Sequence, residues 1–104
     1  MYVFIRHDLS PEQIAVQSCH AIVECGKAFD LKALPEHPSI IIFGIRNELK
    51  LQEIRKYLIA QEIQHVHFYE PDIGHELTAL ATQPVFGDQR AVFKKFQLLR
   101  ISSP

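Results

Sequence analysis

A run of polar side chains at helical spacing is the first candidate for chemistry. At 100° per residue, Gln13, Gln17, His20, Glu24 and Lys27 fall within an arc of about 80° on one helix. They present an imidazole, two amides, a carboxylate and an ammonium. An unperturbed imidazole titrates near pH 6.5, which suits His20 to general acid–base work. Asp8 ends the strand that leads into this helix, and such strand ends are favoured site positions in α/β sheets. The same residues also describe a solvated helix face, so type and spacing alone leave both readings open.

Other patterns carry less. His65 and His67 share one face of a strand and His75 follows a loop, but no Cys, Asp or Glu stands at ligand spacing, so no metal site is predicted. Thr78 and Thr82 alternate with apolar residues, as strand propensity alone would have it. The absence of G-x-G-x-x-G, of a P-loop and of G-x-S-x-G excludes the nucleotide sites and the serine hydrolase built on those motifs. Cys19 and Cys25 would lie about 9 Å apart along a helix axis and on different faces, which predicts two reduced core thiols and no bridge. Arg90, Lys94 and Lys95, with Arg100 beside them, form a basic cluster on the last predicted helix. It is either that helix's exposed side or a contact surface for phosphates.

These residues need a scaffold, and 104 residues (12.0 kDa) allow one domain, residues 1–104. A content of 47% hydrophobic and 22% charged residues is globular rather than disordered. A net charge of −1 argues against a non-specific nucleic-acid binder, so any such contact must be local. The opening shows no basic leader, and the longest apolar run, Ile40 to Phe43, is far below the roughly 20 residues that span a bilayer. The expectation is a soluble cytoplasmic protein with no membrane partner.

Tyr2 to His7 and Ile40 to Ile45 read as strands buried on both faces. Ser10, Pro11 and Gln13 mark a helix start with an S-x-x-Q capping box, running to about Phe29 with Ile14, Ser18, Ala21, Ile22, Cys25 and Phe29 buried. Asn47 caps a second helix with Leu51, Ile54 and Leu58 inward. His65 to Glu70 and Leu77 to Thr82 are strands joined by a short loop. Asp88 is expected to cap a final helix with Val92, Phe96 and Leu99 inward. The order β-α-β-α-β-β-α predicts an α/β fold: a single mixed four-stranded sheet with helices on both faces.

Ile5-Arg6-His7-Asp8-Leu9, followed by Ile14-Ala15-Val16-Gln17-Ser18-Cys19-His20-Ala21, resembles the opening of the type 2 peptidyl-tRNA hydrolase family, where a strand ending in R-x-D-L precedes a helix carrying I-A-A-Q-x-x-H-A. Leu77 to Pro84 is similar to the family's T-V-L-A-I-G-P strand, and the resemblance runs in order over nearly the whole chain. It implies hydrolysis of the ester joining a peptide to the terminal ribose of tRNA, with water as nucleophile and no cofactor or metal. It also implies tRNA as partner; if tRNA binds, the basic cluster Arg90, Lys94 and Lys95 is the expected phosphate contact because the final third holds no larger basic run, and a homodimer is left open. Asp8, His20 and Asp72 would border one cleft with Gln13, Gln17 and Thr78. In it His20 would orient or activate water, and Gln13 and Thr78 would donate to the ester oxygen.

The chain departs from that family at two places. Gln13 stands where the family has a lysine, and an amide is not a cation. The segment Glu70-Pro71-Asp72-Ile73-Gly74-His75-Glu76 is shorter than the family's D-A-G-x-T loop, with Asp72 nearest its aspartate. Lys27 and Lys50 are the candidates to supply a cation in space. A second reading follows, a family-fold module that binds without cleaving.

Overall fold

All five residues of β1 (Tyr2–Arg6) are buried, as an apolar run without polar alternation requires of a central strand. In the computed structural model, which describes residues 1–32 and 34–100, β1 pairs in parallel with β2 (Ile41–Ile45) and antiparallel with β4 (Glu76–Thr82). β4 in turn pairs antiparallel with β3 (His65–Glu70). The sheet order is β2-β1-β4-β3, the single mixed four-stranded α/β sheet that the sequence predicts.

Helix α1 (Pro11–Ala28) begins with the expected capping box: the Ser10 hydroxyl accepts from the Gln13 N–H and the Gln13 side chain accepts from the Ser10 N–H. It covers one face of the sheet through Ile14, Ala21 and Cys25, which pack on Val3, Ile5, Ala79 and Ala81. Helix α2 (Glu48–Ala60), capped by the Asn47 side chain at 3.0 Å from the Lys50 N–H, covers the other. There Leu51 and Leu58 join Tyr2, Phe4, Phe43 and Leu80. No described helix is long and apolar enough to cross a membrane.

Three expectations need correction. Gln17, assigned to the polar outer arc, is buried, whereas Cys19, assigned to the core, is exposed and only Cys25 is buried. The final helix is a 3-10 segment, Gly87–Phe93, whose cap Phe86 makes no side-chain bond, so Asp88 is not the cap. The chain beyond it lies along β2 instead, with Leu99 N–H donating to Ile42 O at 2.8 Å and Gly44 N–H to Gln97 O at 3.2 Å. The outer edge of β2 would otherwise leave its ladder groups unpaired, and this long-range pairing outweighs a further helical turn. Phe93 and Phe96 still pack on the α2-side core.

The β3–β4 ladder contains the irregularity that matters most for function. Phe68 pairs with Ala79 but Tyr69 pairs with Leu77, so Thr78 is an extra residue in β4, a β-bulge.

The orientation of α2 is checked by a matched pair. Leu58→Ala, at a fully buried site, should cost about 2–5 kcal/mol. Leu49→Ala, at a site 68% exposed, should change stability by less than about 0.5 kcal/mol. Urea unfolding midpoints measure both, and similar losses would overturn this packing.

Candidate functional site

Strand alternation places Ala79 and Ala81 under α1 and would send Thr78 to the opposite face. The bulge turns it back toward α1, where the Thr78 hydroxyl lies 2.8 Å from Gln17 Oε1 and 3.3 Å from Phe68 O. The Gln17 amide continues the chain, its Nε2 donating to Glu70 Oε2 at 2.6 Å. A hydroxyl donor on one side and a carboxylate on the other fix which way the amide points. Glu70 Oε1 accepts from the Asp72 N–H at 3.1 Å, which caps the short 3-10 turn Pro71–Ile73. Four elements are thus tied through one buried amide.

This network holds the Glu70 carboxyl below its usual range. The Gln17 bond is the largest cause, followed by the Asp72 N–H, with His20 adding positive charge nearby. Above the network, Glu12, Gln13, Val16, Gln17, Glu70 and Asp72 line a cavity of about 250 Å³. Gln13 Oε1 is occupied by the capping box, so its amide N–H groups are what it can offer a ligand.

The structure therefore brings together Gln13, Gln17 and Asp72, with Thr78 fully buried behind Gln17 and reaching the cavity only through it. His20 lies one turn beyond Val16, exposed, its ring stacked on Phe68 at 4.5 Å and 6°. It does not line the cavity.

Asp8 does not line it either, against expectation. The side chain of Arg6, buried by the central strand, requires a counter-charge, and it holds Asp8 by two bonds of 2.9 and 2.8 Å. Arg6 also donates to Leu77 O at 3.2 Å and reaches Glu76 at 3.4 Å. The Arg6 bonds keep the Asp8 carboxyl below its ordinary range.

Neither candidate cation enters the cavity. Lys27, at the far end of α1, pairs with Glu24 at 3.5 Å, and Lys50, on α2, pairs with Glu53 at 3.3 Å. Arg90, Lys94 and Lys95 do not form one cluster. Arg90 and Lys94 line a groove beside Tyr2 and Phe93, with Arg90 Nε donating to the Tyr2 hydroxyl at 3.2 Å. Lys95 lines a different groove, its ammonium 3.6 Å from the centre of the Tyr57 ring. Among the described residues no three His, Cys, Asp or Glu side chains converge as a metal-ligand group.

Two participants, Glu70 and Arg6, hold positions whose role the sequence alone does not assign. Glu70 shares a strand face with Val66 and Phe68, and its position just before Pro71-Asp72 was the available signal for a capping carboxylate. Arg6 announced itself as the only charge in an apolar strand.

No protein-family model matches the chain, and no curated protein matches it.

Replacing Gln17 by Leu should let the Glu70 carboxyl rise back toward the ordinary glutamate range, because its largest stabilising bond is lost. The depressed folded-state pKa of Glu70 contributes stability that is present above the ordinary value and lost as pH falls through the folded one. Gln17→Leu should therefore lower stability at neutral pH and weaken its fall in acid. Carbon-detected NMR titration of Glu70 reads this directly. An unchanged Glu70 midpoint would show that the amide does not hold it.

Proposed function

We propose that the chain hydrolyses the carboxylic ester joining a peptide to the 3′ end of tRNA, as a divergent relative of the type 2 peptidyl-tRNA hydrolases it resembles. One observation carries the reading. The Gln17 amide joins the helix and the Thr78 strand, two stretches on which the resemblance rests, and ties both to the Glu70–Asp72 turn.

In this reading the ester carbonyl lies in the cavity, with the Gln13 N–H groups donating to its oxygen as negative charge develops. Water attacks the carbonyl carbon and the bond to the ribose oxygen breaks. His20, exposed on α1 one turn beyond Val16 and outside the cavity, takes the proton from the attacking water through an intervening water and returns one to the departing ribose oxygen by the same route. Thr78 is a positioning residue that acts through Gln17. Asp8 supports the strand end through Arg6 rather than touching substrate. Arg90 and Lys94 remain phosphate contacts on the opposite side of the sheet.

The lining of the cavity favours the second reading, binding without cleavage. Among the described residues, Glu12, Glu70 and Asp72 face it and no cation does.

Purified protein should release N-acetylated amino acid from tRNA, with EDTA making no difference. Gln13→Lys should raise the rate by at least about tenfold by supplying the cation that the family carries. His20→Asn should lower it by about a hundredfold or more with the fold intact. No cleavage above buffer by wild type or by folded Gln13→Lys would overturn the hydrolytic reading and leave the binding module.

A further inference from the structure

The end of the sheet that carries the acidic cavity has an opposite corner of reversed charge. Where β1 and β2 end and α2 begins, a cavity of about 650 Å³ is lined by His7, Arg46, Lys50, Lys95 and Tyr57, with Gly44 presenting bare backbone. Among the described residues one carboxylate, Glu53, also faces it, and Lys50 engages that group at 3.3 Å. Three of the chain's eleven lysines and arginines thus meet at one cavity, in a protein whose net charge is −1.

The cations are held in different ways that together suit an anion. The Tyr57 hydroxyl donates to Val92 O at 2.9 Å, which fixes the ring, and the Lys95 ammonium rests 3.6 Å from its centre. That ammonium is pre-positioned, and among the described residues no carboxylate pairs with it. Arg46 is exposed and makes no hydrogen bond or ion pair among the described residues, so its fork of donors is free to take two oxygens of one ligand. Gly44 is confined by His7 Cδ2 and Leu99, each 3.3 Å from where a Cβ would stand, so a side chain there would crowd the floor.

We infer that this corner binds phosphate groups, carried either by a free nucleotide or by the backbone of a single-stranded RNA. The site is separate from the acidic cavity under α1 and stands whether or not that cavity cleaves an ester.

The test uses the full chain and two probes. A labelled single-stranded RNA of about a dozen nucleotides is followed by fluorescence anisotropy, and ATP by calorimetry and as a competitor. Arg46→Gln/Lys50→Gln should weaken binding of whichever probe binds by about tenfold or more. For RNA it should also flatten the salt dependence by about 0.7 for each phosphate no longer neutralised. Lys27→Gln/Lys32→Gln removes the same charge far from the cavity and should change affinity less than about twofold. The single variant Arg46→Glu, at an exposed position, gives the same reading should the double variant fold poorly. ATP that binds and displaces RNA identifies a nucleotide site, and RNA binding untouched by ATP identifies a backbone site. Binding of neither probe at low salt overturns the inference, as does equal weakening by the two double variants.

Discussion

The geometry of the site depends on one extra residue in β4. Without the bulge at Thr78, the β4 hydroxyl would face α2 and Gln17 would meet no donor from the sheet. A buried amide without partners costs about 1–3 kcal/mol, so Gln17 could not then sit where it does. With the bulge, its oxygen and nitrogen are both satisfied, and the nitrogen is spent on a carboxylate from the neighbouring strand. The same carboxylate caps the turn that carries Asp72. The position of the turn, the ionisation of Glu70 and the shape of the cavity all trace to that amide.

Charge is distributed around this frame with a consistent logic. Arg6, whose side chain is only 8% exposed, draws Asp8 and Glu76 to itself and closes the centre of the sheet end. On one side of that closure lie Glu70 and Asp72 under α1, and on the other Arg46, Lys50 and Lys95 beside α2. A near-neutral protein thereby has an acidic and a basic corner at one end of its sheet.

Much of the architecture is legible in local sequence because local physics decides it. Ser10-Pro11-Glu12-Gln13 specifies its own helix start, and runs such as Val3-Phe4-Ile5 tolerate only a central strand. What was illegible is set by contacts distant in sequence. Gln17 looks like a surface residue until the bulge 61 positions away supplies its donor. The chain from Gln97 to Leu99 looks helical until the open edge of β2 offers it backbone partners. The cluster Arg90, Lys94, Lys95 looks continuous only on an α-helix, and a 3-10 turn followed by an edge pairing sends its members to separate grooves. Gln13 is marked by the helix-start pattern and Asp72 only by the family resemblance, whereas Glu70 depends on which strand face meets α1.

Thr78 and Glu70, which do not bond to each other, act as one unit through Gln17. A double-mutant cycle tests it most directly, with Thr78→Val, Glu70→Gln and the combined variant unfolded in urea at neutral pH. The combined loss should differ measurably from the sum of the two single losses, because each substitution frees the amide that the other side chain holds. Strictly additive losses, with the fold intact in all variants, would contradict it.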